Sequence, residues 1–284
     1  MSGRTIALYS ESGGGKTTQI GEYAKWVYKT TGKRTCLFSS DLGGFDSIDH
    51  LVGSVVDPIS YDPSVDDPWS WINGAVEARG VDVNAYGLFA FDSGTSMAEQ
   101  LLSSCAKLSA GGEDIGGRPA PKFIINKKGP VDKQIKIGSN VDSHYLTVQG
   151  VMRDNIWRST WLAKFGDVLW TFGLYRGESQ QDTPIYGPQV AGKALTPLMP
   201  KWFKYTFPLL KEVTSGSAPV HKLLLQSQPD SMGMATYYAN SRYPLGADVP
   251  CPLYIEPASL SNAIELLQQA HDQAGVNARA ELGI

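Results

Sequence analysis

Lys16, followed by the hydroxyls of Thr17 and Thr18 and preceded by Gly13, Gly14 and Gly15, is a set of residue types able to hold a polyphosphate. Glycines let backbone N–H groups turn inward around an anion, and the positive end of a following helix adds to the attraction. In such a cradle Ser12, Gly13, Gly14, Gly15, Lys16, Thr17 and Thr18 surround the phosphates of ATP. Lys16 reaches the β- and γ-phosphates, and Thr17 offers an oxygen to Mg²⁺. The stretch Ser10 to Thr18 departs from GxxxxGK[ST] at one place, because Ser10 stands where the first glycine belongs. A glycine-rich turn without a ligand is the competing reading of the same residues.

A second set of residues carries carboxylates. The apolar run Gly87-Leu88-Phe89-Ala90-Phe91 ends at Asp92, and Ser93-Gly94-Thr95 follows as a helix start. A carboxylate leaving a strand beside a phosphate loop can hold the water shell of Mg²⁺, and one in this position can also simply cap the helix. Asp41 follows the apolar run Thr35 to Ser39, where it would either face the γ-phosphate from the side or cap a turn. On the run Asp167 to Gly173, Thr171 or a residue of the polar loop 176–182 could sense the γ-phosphate, and the sequence does not choose between them.

Residues 109–145 differ in character. Paired glycines and three prolines accompany Arg118, Lys122, Lys127, Lys128, Lys133 and Lys136. A basic loop of this kind suits single-stranded DNA, whose phosphates attract lysine and whose bases accept varied stacking partners. A solvated, lysine-rich insertion fits those residues equally well.

The elements that must position these groups follow from periodicity. Ile6 to Tyr9 is a short apolar strand, and Ile20, Tyr23, Ala24 and Val27 fall at i, i+3, i+4 and i+7, the spacing of an amphipathic helix. Thr31-Gly32 stops that helix, and Arg34 to Ser39 and Gly87 to Ser93 read as strands. A further short strand is expected within 50–56. A helix is expected over 148–165, with Trp157, Trp161 and Phe165 forming a core-facing stripe. Strands over 221–226 and 234–239 and a terminal helix carrying Leu260, Ile264 and Leu267 complete the pattern.

The chain has 284 residues, 42% apolar and 19% charged, enough to bury a sizeable core. A net charge of −3 gives no global attraction to nucleic acid, so any such binding needs a local patch. Cys36, Cys105 and Cys251 show no paired spacing, which points to a reducing compartment and no zinc. No charged-then-apolar leader opens the sequence and no apolar run approaches membrane-spanning length, so a cytoplasmic location without membrane partners is expected. His50, His144, His221 and His271 are scattered, and no role is assigned to them.

In this order, these pieces resemble the RecA-like P-loop ATPases, most closely the short phage-encoded members that act as ATP-binding recombination or single-strand annealing proteins. Gly187 to Ala194 and Tyr254-Ile255-Glu256-Pro257 add weaker similarity. The resemblance implies an α/β fold: a RecA-like P-loop NTPase core with a mainly parallel sheet flanked by helices, a late β-hairpin region and a C-terminal helix. It would place the ATPase domain at 1–255, with the basic insertion at about 109–145, and a helical extension at 256–284. It implies that Asp41 activates the attacking water. It also makes Arg242, in Asn240-Ser241-Arg242, a finger that reaches the γ-phosphate on a neighbouring subunit.

The expected function is Mg²⁺-dependent binding and hydrolysis of ATP on single-stranded DNA, in annealing or strand exchange. It would involve a homo-oligomer, ring or filament, and a single-strand-binding protein as a possible partner. Two other functions stay open: a P-loop phosphotransferase acting on a small molecule, and a nucleotide-gated accessory protein that hydrolyses weakly.

Overall fold

The computed structural model describes residues 3–39, 46–60, 81–111, 141–178, 184–190, 198–213, 218–244, 247 and 250–282. Asp41 and the basic residues Arg118, Lys122, Lys127, Lys128, Lys133 and Lys136 lie outside the described residues.

Strand β1 (Thr5–Tyr9) leads through the glycine loop into helix α1 (Lys16–Thr31). The helix buries Ile20, Tyr23, Ala24 and Val27, the face that the spacing predicts. Gly15 at its start and Gly32 at its end both adopt left-handed backbone, with φ 91° and 70°. Gly32 N–H donates to the carbonyl of Tyr28, which closes the last turn. Strands β2 (Arg34–Ser39) and β4 (Tyr86–Asp92) sit where their apolar runs place them. The strand expected within 50–56 falls later, as β3 (Val56–Ser60), behind a 3-10 turn at Asp46–Leu51. Pro58 is tolerated there because β3 is the end strand of the sheet among the described residues, with β2 as its strand partner.

Helix α2 (Gly94–Gly111) follows β4, and helix α3 (Val141–Ser159) precedes β5 (Asp167–Glu178). The helix expected to continue to 165 ends at Ser159 and tightens into a 3-10 segment at Thr160–Lys164. Ser159 is buried; its hydroxyl donates to the carbonyl of Ile156 and accepts from the indole N–H of Trp170. The proposed aromatic stripe is therefore broken: Trp157 is 61% exposed, while Trp161 and Phe165 pack edge to face on each other and against the core.

The remaining strands are β6 (Pro184–Gln189), β7 (Tyr205–Glu212), β8 (Val220–Leu224), β9 (Gln226–Pro229), β10 (Thr236–Asn240) and β11 (Tyr254–Ile255). Helix α4 (Leu260–Leu282) is the last described element and buries Leu260, Ile264 and Leu267 as expected. No helix among the described residues is long and apolar enough to cross a membrane.

The sheet corrects the expected fold class. Among the described residues it is a mixed sheet of eleven strands with few helices, not a RecA-like, mainly parallel sheet flanked by helices. Strands β3, β2, β4, β5, β1 and β7 run parallel, but β6 pairs antiparallel with β5, β8 with β7, β11 with β8, and β10 with both β7 and β9. The physical cause lies in the second half of the chain. β5 runs on past its parallel partners, and its second half, Gly173 to Glu178, pairs with β6. A parallel neighbour needs a long crossover, usually a helix, whereas an antiparallel neighbour needs only a turn. The described chain from β6 to β11 has no α-helix and instead doubles back strand on strand.

Alternation along the buried strands divides the core between the two faces of the sheet. Ala7, Tyr9, Phe38, Phe91, Trp170 and Phe172 pack with Met97, Leu101, Val148 and Met152 from α2 and α3. Ile6, Leu8, Leu37, Leu169 and Phe207 pack with Ile20, Tyr23, Ile264 and Leu267 from α1 and α4. Asp167 fixes the start of β5 to β1. It accepts from Arg4 N–H at 2.7 Å, from Arg4 Nη1 at 3.1 Å and from the hydroxyl of Tyr23 at 2.6 Å. Burial, reinforced by the charge of Asp167, holds the Tyr23 phenol well above its usual range.

Candidate functional site

Strands that run parallel and in register deliver their C-terminal ends to one edge. Tyr9 pairs with Phe172, Phe91 with Trp170, and Ser39 with Asp92. The loop after β1, the end of β4 and the middle of β5 therefore meet, which is where ligands gather on parallel sheets.

The loop is built for close backbone approach. Gly13 and Gly15 have φ of 69° and 91°, a left-handed conformation that side chains resist. Gly14 is buried, and a Cβ on it would lie 2.4 Å from Ser10 Oγ and 2.9 Å from the carbonyl oxygen of Glu11. Ser10 occupies the space that a Cβ on Gly14 would need. The Ser10 hydroxyl donates to the carbonyl of Glu11 at 2.9 Å. Lys16 Nζ arches over the loop and donates to the Ser10 carbonyl, the Ser10 hydroxyl and the Glu11 carbonyl at 3.3, 3.2 and 3.0 Å.

Tyr9 anchors the loop from below. Its hydroxyl donates to the carbonyls of Tyr238 and Tyr186, at 2.7 and 3.1 Å, and so ties β1 to β10 and β6. Burial pushes this phenol well above its usual range, despite the compensating bond to Tyr238.

Thr17 and Asp92 come together as expected. The Thr17 hydroxyl donates to Asp92 Oδ2 at 2.7 Å, and Asp92 is 5% exposed. Its other oxygen, Oδ1, accepts from the hydroxyl of Thr171, a fully buried residue on the intervening strand β5. Thr171 thus positions the carboxylate. These hard oxygen groups, one hydroxyl and one carboxylate, fit a Mg²⁺ ion that takes its other ligands from phosphate and water.

The loop opens on a cleft of about 730 Å³. Its walls include Ser12 to Thr18 and Asp92, Arg176 from the polar stretch 176–182 that the sequence offered as a γ-phosphate sensor, and also residues that sequence spacing did not single out: Glu11, Thr95, Glu99 and Gln189. Thr95 bridges two strands, accepting from Gly173 N–H at 2.8 Å and donating to the carbonyl of Gln189 at 2.6 Å. Arg176 Nη2 donates to Glu11 Oε1 at 2.6 Å, and its guanidinium lies 5.5 Å from the ring centre of Tyr186. Glu99 is exposed on α2 and presents a carboxylate to the same cleft.

Arg242 is not among the residues lining this cleft. It is exposed, has φ of 44°, donates from its backbone N–H to Asn240 Oδ1 at 3.2 Å, and reaches the carbonyl of Phe203 through Nη2 at 3.5 Å.

No protein-family model matches the chain, and a search of curated proteins finds no match.

Proposed function

We propose that the chain binds ATP with Mg²⁺ in the cleft above the Ser10–Thr18 loop and hydrolyses it, with single-stranded DNA controlling the reaction. The observation that carries this reading is the arrangement of Lys16, Thr17, Asp92 and Thr171. A flexible cation sits over a glycine loop at a helix N-terminus, and a buried carboxylate is held against the hydroxyl beside that cation. Backbone N–H groups of Gly13 and of Gly15 to Thr18 receive the phosphates, and Lys16 balances the charge of the outer two. Thr17 and Asp92 would hold Mg²⁺, which when bound offsets negative charge building on the transferred phosphoryl group. Asp41 would orient the water, and Arg242 would act on the cleft of a neighbouring copy. The lysines between 118 and 136 supply the local basic patch that a chain of net charge −3 needs to bind DNA.

The test is ATP hydrolysis with and without single-stranded DNA, across a salt series, with Lys16→Ala as control. Stimulation that requires Lys16 and fades with salt is the expected result. Hydrolysis that DNA does not change removes DNA from the reading. Transfer of the γ-phosphate to a small acceptor would replace it with a phosphotransferase.

A further inference from the structure

A second cavity, of about 270 Å³, lies against the phosphate loop. Gly15 and Thr18 line both this cavity and the larger cleft, so the two adjoin at the start of α1. The walls of the smaller cavity are mainly apolar, from Leu209, Pro219, Val220 and Pro257. Into this setting β8 brings His221. Its ring lies against the loop, with Nε2 and Cδ2 at 3.5 and 3.6 Å from where a Cβ on Gly15 would stand. His221 Nε2 is buried and has no hydrogen-bond partner among the described residues. A buried polar nitrogen left unpaired is costly, and because His221 is among the residues that line the preformed cavity, a ligand entering there is the nearest partner on offer.

The cavity is held in shape from two sides. Ala258 N–H donates to the carbonyl of His221 at 2.7 Å, which fixes the chain ahead of α4 to β8. Gln19, nearly buried on α1, donates from Nε2 to the carbonyl of Ala258 and accepts from the N–H of Leu260, both at 3.0 Å. The two segments are thereby clamped to the helix that begins at the phosphate loop.

We propose that this cavity receives the base of a purine nucleoside triphosphate, and that His221 Nε2 is the side-chain contact that selects it. The inference rests on the reading of the larger cleft as the triphosphate site. A flat bicyclic ring matches apolar walls on several sides, and its ring nitrogens offer His221 the partner it lacks. The volume suits a base rather than a whole nucleotide, with the sugar passing over Gly15 and Thr18.

The experiment is calorimetric titration, with Mg²⁺ present, of ATP, UTP and inorganic tripolyphosphate into the wild-type chain, His221→Ala and Val220→Trp. The indole of Val220→Trp would fill the cavity from a position that is already 38% exposed. The wild type should bind ATP about tenfold or more tightly than UTP or tripolyphosphate. Both variants should lose most of that preference while keeping tripolyphosphate affinity within about twofold. Equal wild-type affinity for ATP and tripolyphosphate would overturn the base site and leave the triphosphate site standing. So would an unchanged preference for ATP over UTP in both variants, or an equal loss of ATP and tripolyphosphate affinity in both. Failure of the wild type to bind either ATP or tripolyphosphate would overturn the triphosphate site, and the base site with it.

Discussion

Thr17 Oγ1 donates to Asp92 Oδ2 at 2.7 Å, joining residues 75 positions apart in the chain. The contact is produced by topology: Thr17 opens the helix after β1, Asp92 ends β4, and β5 between those strands adds Thr171 to the other carboxylate oxygen. Removing the charge by Asp92→Asn should lower Mg²⁺ affinity in the nucleotide complex by about 10–100-fold. Nucleotide binding without Mg²⁺ should change little. Titration of a fluorescent ATP analogue at a series of Mg²⁺ concentrations measures both. An unchanged Mg²⁺ dependence would reduce Asp92 to a cap on α2.

Ser10 and Gly14 are steric partners. Gly14→Ala would set a Cβ 2.4 Å from Ser10 Oγ and 2.9 Å from the Glu11 carbonyl, so the loop must shift and ATP affinity should fall about tenfold or more. Ser10→Gly removes the nearer contact and leaves the backbone one. The double variant Ser10→Gly, Gly14→Ala should therefore recover part of the loss. A double-mutant cycle on ATP affinity checks this, and strict additivity would show that the two positions do not share the space.

The sequence made the groups nearest the phosphates legible because they are local or adjoin apolar runs of clear period. Gly13 to Thr18 form one loop, and Asp92 closes a run whose residues are fully buried. What it could not convey depends on long-range pairing. Arg176 belongs to the stretch 176–182 that the sequence offered as a γ-phosphate sensor, but it lies on β5 rather than in a loop, and Gln189 joins it at the cleft through the antiparallel pairing of β5 with β6, which cannot be read from either segment alone. His221 reaches Gly15 only because β8 pairs with β7 and β7 lies beside β1. The same preference for turns over crossovers overturned the expected RecA-like sheet. The stripe of Trp157, Trp161 and Phe165 failed for a local reason, since the change from α to 3-10 winding after Ser159 rotates the later residues away from the Trp157 face.

Arg242 separates a local role from one between subunits. Its left-handed backbone would suit glycine, so Arg242→Gly should stabilise the turn by roughly 0.5–1 kcal/mol relative to Arg242→Ala. If the guanidinium serves a neighbouring cleft, both variants should bind ATP normally as single chains. Both should lose about 10³-fold in turnover in the assembled, DNA-bound protein. Comparable turnover for wild type and variants would assign Arg242 to the Phe203 carbonyl alone.

Cys36 makes stability depend on pH in a defined window. Burial, with a smaller contribution from Asp57, pushes its thiol from 9.0 up to about 12. Between those values the unfolded chain sheds the thiol proton while the folded chain keeps it, so the unfolded state binds fewer protons and stability falls as pH rises. The contribution is fully present below pH 9.0 and is lost as pH climbs towards about 12. A fully titrating group gives a slope of about 1.4 kcal/mol per pH unit. Tyr9 and Tyr23, also raised by burial, add to the decline only above their ordinary value of 10.0. Urea unfolding at closely spaced pH values from 7 to about 11 should give a flat region followed by a fall. Cys36→Ala should be less stable at pH 7, having lost a buried sulfur, yet should decline less steeply between pH 9 and 10, before the tyrosines contribute. Parallel curves for wild type and Cys36→Ala across that interval would mean that the thiol ionises no differently in the folded and unfolded chains.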